Sequence, residues 1–167
     1  MAQALLVSRK DIVKFTSMNG NVDTDKFIQY ILIAQDIHIQ NYLGTELLDK
    51  IEADIIADTL TGDYATLVTD YVKPMLIHWA MVEYLPFAAY TISNKGILKG
   101  SSENAENVDK NEIDFLIEKE RNLAQYYTER FIDYMSFNAA SKFSEYYSNS
   151  NEDVYPDKDS DFAGWVL

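Results

Sequence analysis

The stretch that decides the fold is MLIHWAMVEYLPFAAYTI, residues 75–92, the most apolar segment of the chain. It approaches the length of a membrane-spanning helix, but it contains His78, Glu83 and Pro86. A spanning helix needs about 20 apolar residues with few charges. The segment therefore predicts a helix buried in the core of a folded protein.

Apolar residues recur at helical spacing on both sides of this segment. Longer helices are predicted over residues 24–43, 46–59, 64–91 and 109–137. Ser8, with Asp11 three residues later, can cap a short helix before them. Pro74 predicts a kink in the third long helix, because proline lacks an N–H and its ring clashes with the carbonyl group four residues earlier. Gly44 is expected to end one helix and Thr45 to cap the next.

The apolar residues of these helices define the expected core. The helix over 24–43 has apolar residues mostly at helical spacing: Phe27, Ile28, Ile31, Ile33, Ala34, Ile37 and Leu43. The helix over 46–59 has one apolar stripe, made of Leu47, Leu48, Ile51, Ile55 and Ile56. The expected buried face of the last helix consists of Ile113, Leu116, Ile117, Leu123, Ala124, Tyr127, Phe131, Tyr134 and Met135.

These patterns predict an all-α fold: a five- to six-helix bundle with a small β-hairpin or loop insertion and an extended C-terminal tail. The helical domain is expected to cover residues 1–147 and the tail residues 148–167. The insertion is expected at about 92–102, where Asn94 and Gly96 indicate a turn. A chain of 167 residues is the size of one domain.

Charge and composition exclude several classes of function. The chain has 14 Lys and Arg against 27 Asp and Glu, a formal charge of −13, and it has no cysteine. Binding of nucleic acid through phosphate neutralisation needs clustered cations, and so does docking on an anionic membrane. The missing cysteines exclude disulfides and thiolate metal sites. The segment MAQALLVSRKD lacks the apolar core of a signal peptide, so a protein assembled inside the cell is expected.

No pattern of catalytic or metal-binding residues is found in the sequence. His38 and His78 are forty positions apart, and a core or interface role is expected for both. Two acidic stretches, 21–25 and 157–161, lack the turn glycine and the glutamate of a calcium loop. No enzymatic activity, metal or cofactor is therefore predicted. The weakest alternative, an enzyme, would use His78 and Glu83.

Two features suggest contacts with other molecules. The tail combines large apolar side chains with a polar, aperiodic background, which is typical of anchors that dock into pockets. The candidate anchors are Tyr155, Pro156, Phe162, Trp165, Val166 and Leu167. The hairpin lies in the acid-free interval 84–102, and its candidate contact residues are Asn94, Lys95, Gly96 and Lys99. The alternatives are a tail that folds onto its own domain and a simple solvated turn.

The chain resembles the head–tail connector, or adaptor, proteins of tailed bacteriophages, with the closest similarity to phages of Bacteroidetes, including crAss-like phages. The resemblance rests on FIQYILIAQ (27–35) followed by DIHIQNYLGTEL (36–47), and on YVKPM (71–75) in the kinked helix. SNKG (93–96) resembles the family's hairpin, residues 121–130 its last long helix, and Tyr155-Pro156 with FAGWVL (162–167) its tail. The tail here departs from the fuller tyrosine–proline pattern of that family.

The resemblance implies a structural virion protein of the neck that assembles in the host cytoplasm. It would form a homo-oligomeric ring, commonly of twelve copies, below the portal protein and above the next connector or tail protein. Genomic DNA would only pass through the channel, and no membrane would be involved. A ring interface joins two different surfaces, head to tail. The alternative from charge alone is a small acidic helical binding module, of the inhibitor or DNA-mimic type.

Overall fold

The computed structural model describes residues 3–16, 24–88, 90–93, 96–99, 110–148 and 153–159. Its α-helices are α1 (Arg9–Phe15), α2 (Thr24–Ala34), α3 (Gln40–Leu43), α4 (Thr45–Ile56), α5 (Gly62–Thr66), α6 (Lys73–Tyr84), α7 (Lys110–Lys142) and α8 (Glu145–Ser148). A first π turn (Gln35–Ile39) joins α2 to α3, and a second π turn (Leu67–Val72) joins α5 to α6. A 3₁₀ turn (Leu85–Phe87) follows α6. The predicted all-α class is confirmed.

Helix α6 lies at the centre of the fold. Every residue from Met75 to Val82 is buried, because this helix is apolar on all its faces. Helix α7 packs along α6 on one side and α2 packs along it on another, while α2 and α7 hardly touch each other. The prediction that residues 75–92 supply a buried core helix is confirmed for α6. None of the described helices is long and apolar enough to cross a membrane.

The first π turn shifts the buried face of its helix by one residue. The buried positions Phe27, Ile31 and Ala34 follow α-helical spacing, but the next fully buried apolar residue is Ile39, five positions after Ala34. The extra residue of a π turn absorbs this step. The sequence predicted one helix over 24–43, and the structure has a continuous helical stretch there with this change of register.

The second π turn ends two residues before Pro74. Proline at position 74 cannot donate an N–H to the carbonyl of Asp70, and its ring would clash with that carbonyl in an α-helix. The wider turn lies where this clash would occur. The predicted interruption near Pro74 is therefore present, as a π turn followed by a new α-helical start.

The helix ends differ from their predicted positions for local reasons. Helix α4 ends at Ile56, because Asp58 has a positive φ of 56°, which α-helical backbone cannot continue. Helix α6 ends at Tyr84, seven residues before the predicted end, where the 3₁₀ turn around Pro86 begins. Helix α7 continues to Lys142, beyond the predicted end at residue 137. Ser8 caps α1 in a capping box with Asp11, as predicted.

Two short strands follow the 3₁₀ turn. Strands β1 (Tyr90–Ser93) and β2 (Gly96–Lys99) pair antiparallel, with Tyr90 opposite Lys99 and Ser93 opposite Gly96. Strand β1 starts at Tyr90, two residues before the predicted insertion at about 92–102.

Several apolar residues expected in the core are exposed. The exposed fraction is 39% for Ile33, 57% for Ile37, 58% for Ile56, 44% for Leu116 and 43% for Leu123. Their placement in the core was wrong. The helices that carry them have apolar residues on more than one face, and periodicity does not say which face meets the core.

Candidate functional site

The corner between α3 and α4 is built around Gly44. Gly44 has φ 76° and ψ 158°, a conformation that only glycine adopts readily. The ring of Pro156 lies so close that a Cβ on Gly44 would be 2.6 Å from Pro156 Cγ. Glycine is thus required here both for its backbone angles and for the space above its Cα.

A C-terminal segment, the strap (residues 153–159), runs across this corner and is hydrogen-bonded to it. The Thr45 N–H donates to the Val154 carbonyl over 3.0 Å, and the Val154 N–H donates to Thr45 Oγ1 over 3.1 Å. Thr45 Oγ1 also donates to Asp153, and the Asp157 N–H donates to the Asn41 carbonyl over 2.8 Å. Thr45 was predicted to cap α4, but Gly44 takes the cap position and the Thr45 hydroxyl binds the strap instead.

The far end of the strap is held by an aromatic cage. The ammonium of Lys158 lies 5.7 Å from the ring centre of Tyr146, 4.8 Å from that of Tyr147 and 5.4 Å from that of Tyr155. Rings at these distances attract a cation through their negative faces. Burial, with smaller contributions from Tyr147, Asp157 and Tyr155, raises the pKa of Tyr146 to about 12. Tyr146 therefore stays neutral at physiological pH.

The structure describes two of the six candidate anchor residues of the tail. Pro156 is buried against Gly44 of its own chain, so its ring is not free to anchor the protein to a neighbouring subunit or a portal. Tyr155 is 55% exposed and belongs to the Lys158 cage. Phe162, Trp165, Val166 and Leu167 lie outside the described residues. Residues 153–159 thus fold onto their own domain, which is the alternative given for the tail.

The predicted hairpin contact is only partly described. Gly96 and Lys99 are the first and last residues of β2. Asn94 and Lys95 lie outside the described residues, so the predicted contact at these four positions stays a prediction.

The N-terminal segment is tied down by one buried amide that the sequence analysis did not single out. Gln35, in the first π turn, is fully buried. Its Oε1 accepts from the Leu6 N–H over 3.0 Å, and its Nε2 donates to the Ala4 carbonyl over 3.0 Å and to Glu52 over 3.2 Å. Burial raises the pKa of Glu52, although hydrogen bonds from Ala4 and Gln35 oppose the shift. The Gln35 side chain thus provides hydrogen-bond partners for two backbone groups of a segment that belongs to no helix or strand.

Each histidine is paired with a glutamate and stacked on an aromatic ring. A 3.0 Å hydrogen bond joins His38 to Glu83, and the His38 ring stacks on Trp79 with the ring centres 3.9 Å apart. His78 is joined to Glu120 over 2.7 Å and lies parallel to a tyrosine ring. His78 and Glu83, the two candidates of the enzyme alternative, thus have different hydrogen-bond partners. These contacts connect α6 to the first π turn and to α7, as expected of core and interface histidines.

Stability is expected to fall as the pH drops below about 6.5, because of His38. Burial, together with nearby Arg121, lowers the pKa of His38 below its ordinary value of 6.5, although Glu83 opposes the shift. Between the lowered pKa and 6.5 the unfolded chain binds more protons than the folded one, so unfolding becomes easier as pH falls through this window.

Urea unfolding of the wild type and His38→Phe at several pH values checks this expectation. Phenylalanine can stack on Trp79 but cannot titrate, so the variant should lose less free energy of unfolding between pH 7 and pH 5.5. Equal losses in the two proteins would assign the pH dependence to other groups. Glu52 would not be one of them, because its raised pKa stabilises the folded state as the pH falls.

The chemistry available in the described part of the chain is limited. It contains no group of three or more His, Asp or Glu side chains arranged to hold a metal ion. Its buried polar side-chain atoms all have hydrogen-bond partners. The two histidine–glutamate pairs bridge helices and do not converge on a shared cavity.

Exposed apolar side chains run along α7 in the described part of the chain. This α7 stripe consists of five exposed side chains, Phe115, Leu116, Leu123, Tyr126 and Phe137. At 3.6 residues per turn they lie within about 100° of one another and extend over about 33 Å. The buried residues of α7, such as Ala124 and Phe131, lie on the opposite side of the helix. The α7 stripe thus faces away from the core.

A second patch of exposed apolar side chains lies on α2 and the first π turn. This α2 face consists of Ile33 and Ile37, about one helical turn apart, with the exposed Asp36 beside them. Asp36 accepts a 2.7 Å hydrogen bond from Gln3. The sequence carried the signal for both surfaces, because each helix has more apolar residues than one buried face can use.

The described part of the chain is a small helical domain with a closed core. Its N-terminal segment is tied to Gln35 and its strap to the Gly44 corner, and α7 and α2 carry exposed apolar side chains. Residues 39–155 match the family of unknown function DUF6712, and the chain belongs to this family. No curated protein matches the chain, and no solved structure matches it.

Proposed function

We propose that this protein is a structural component of a tailed-phage virion that forms a ring below the portal, joins head to tail and extends the DNA channel. The proposal starts from the resemblance in sequence to phage connector proteins. Most of the residues that carry the resemblance have structural roles here. They form the Gly44 corner, the π turn before Pro74, the long helix α7 and the strap.

The observation that carries the proposal is the α7 stripe. Phe137 is 87% exposed and Tyr126 is 60% exposed, on the outer side of the part of α7 whose inner side packs on the core through Ala124, Phe131 and Met135. Exposed large apolar residues gathered along one side of a helix, here interrupted by charged residues, are found at protein–protein contact sites. A ring of identical copies would cover the stripe of every copy without requiring an enlarged core.

The high negative charge fits this proposal in a second way. The net charge of −13 gives a ring of several copies a strongly acidic total. Acidic walls repel a duplex weakly and allow it to slide, whereas clustered cations would retain it. The alternative, a small acidic module that binds a basic protein, rests on this charge alone and gives no role to the α7 stripe.

Introducing a charge into the α7 stripe is expected to abolish assembly without unfolding the protein. Leu123→Arg should remove the rings from negative-stain images of the purified protein, because burying a guanidinium in place of a smaller apolar side chain costs several kcal/mol in each contact. The helix signal in circular dichroism should stay unchanged, since Leu123 is already 43% exposed.

Glu129→Gln is the matched control, because it changes the charge by the same amount on an exposed position of α7 outside the stripe. It should assemble like the wild type. The proposal would be abandoned if the wild-type protein formed no ring and antibodies against it failed to label the neck of phage particles. Capture of a basic partner by a monomeric protein, without particle association, would favour the acidic-module alternative.

A further inference from the structure

We infer that the α7 stripe of one copy binds the α2 face of the next copy, so that the two unpartnered surfaces form one head-to-tail interface. This inference rests on the proposed function and names the two surfaces that would build the ring. It starts from the residues that the core leaves out. Ile33 and Ile37 on one helix, and Leu116 and Leu123 on another, are apolar residues that remain 39–57% exposed among the described residues.

The placement of the two surfaces fits a heterologous contact. Helices α2 and α7 both pack on α6, with few contacts between them among the described residues. Their exposed apolar side chains therefore form two separate patches. Two different patches allow each copy to bind one neighbour with each patch, which generates a closed ring or an open filament. A two-fold contact between identical patches would instead stop at a dimer.

Charge favours the α2 face as the partner of the α7 stripe. Lys119 and Arg130 lie within the arc of the stripe, on either side of Leu123 and Tyr126, and bring two positive charges to its central part. Within their own chain the Lys119 ammonium lies 5.4 Å from the ring centre of Phe115, and the Arg130 guanidinium lies 5.0 Å from that of Tyr71. Carboxylates, Glu112 and Asp133, lie towards its ends.

The α2 face presents the opposite sign. Asp36 lies beside its two isoleucines and is exposed, and its carboxylate accepts a hydrogen bond only from the neutral amide of Gln3 among the described contacts. Docking would place this acid against the positive centre of the stripe while Ile33 and Ile37 cover Leu123 and Tyr126. Such complementarity sets the register of an interface and disfavours two α7 stripes meeting each other.

The test uses two full-length variants that each lose one surface. Ile37→Arg removes the α2 face and Leu123→Arg removes the α7 stripe. We expect each variant alone to be monomeric by light scattering, with self-association weakened by more than about tenfold, as for a central interface residue. When the two are mixed in equal amounts, each still has one intact surface. They should form one-to-one pairs and nothing larger.

A charge exchange tests the register. Asp36→Lys alone and Lys119→Glu with Arg130→Glu should each weaken association, and combining all three changes in one chain should restore part of it. Ala53→Glu, at an exposed position on α4 that belongs to neither surface, serves as a control that should not weaken association.

The outcomes separate this inference from the proposed function. If Ile37→Arg assembles like the wild type while Leu123→Arg does not, the α7 stripe binds another surface, and the inference is wrong although the ring proposal stands. If the mixed variants remain monomeric, the head-to-tail pairing is wrong. A wild type that labels the phage neck but never self-associates at high concentration overturns the inference alone, whereas absence from the neck overturns the proposed function.

Discussion

Gly44→Ala is expected to lower the free energy of unfolding by about 3 kcal/mol or more, a large part of the 5–15 kcal/mol typical of a domain. Two costs add up at this position. The backbone angles of Gly44 strain any residue with a Cβ, by about 1–3 kcal/mol. The new Cβ would also lie 2.6 Å from Pro156 Cγ and 2.7 Å from Pro156 Cδ, so the strap would have to move. Urea unfolding followed by circular dichroism measures the loss.

Gly62→Ala is the matched control, because Gly62 also has a positive φ, 62°, but nothing lies within 4 Å of the position of its Cβ. Its cost should be about 1 kcal/mol, from backbone strain alone. The remaining difference reports on the strap. Pro156→Ala removes the ring, so Gly44→Ala should cost less in that background than in the wild type. Equal costs in both backgrounds would mean that the strap does not rest on Gly44.

Gln35→Leu is expected to lower the free energy of unfolding by about 3 kcal/mol, although leucine has a similar volume. The substitution leaves the buried Leu6 N–H and Ala4 carbonyl without partners, and each orphaned group costs about 1–3 kcal/mol. The N-terminal segment should also become accessible to a protease under native conditions, because Gln35 provides its main hydrogen bonds to the domain. Mass spectrometry of the early fragments would locate the cut.

Gln29→Leu provides the comparison, since Gln29 is exposed and makes only a 3.4 Å hydrogen bond to the Lys26 carbonyl. It should change the free energy of unfolding by no more than about 0.5 kcal/mol. If the two variants lose the same amount of stability, or if Gln35→Leu leaves the N-terminal segment resistant to the protease, the tether assigned to Gln35 is not important.

The strap limits which part of the tail could contact a neighbouring copy in the proposed ring. A tail that reached a neighbour from residue 148 onward would connect copies by a flexible arm. With Val154, Pro156 and Lys158 held on their own domain, only the residues after the strap could reach another molecule. Interface variants in the tail should therefore be made at Phe162 and Trp165 rather than at Pro156, whose substitution also disturbs the fold.

The sequence predicted some elements of the fold better than others. The apolar run that became α6, the Ser8 cap and the interruption near Pro74 follow from local rules, because each depends on residues within one or two helical turns. Gly44 was expected to end a helix, and it does so. The requirement for glycine at this position also depends on Pro156, which is more than one hundred positions away in the chain.

The candidate site was harder to predict for the same reason. The Val154 N–H and its acceptor Thr45 are 109 positions apart, and Gln35 meets Leu6 across 29 positions. No periodicity reports such pairs. Ile33, Ile37, Leu116 and Leu123 were placed in the core because they are apolar and helically spaced, but the spacing of a helix is the same on every face.

The sequence by itself determined that this protein is helical, that residues 75–82 form its centre and that its helices carry more apolar residues than a single buried face needs. These properties follow from composition and local spacing. Only the tertiary structure decided which of those apolar residues meet the core and which face outward on α2 and α7, and that the strap closes on its own domain. Both depend on how the helices pack around α6, and packing is set by contacts between residues far apart in the chain.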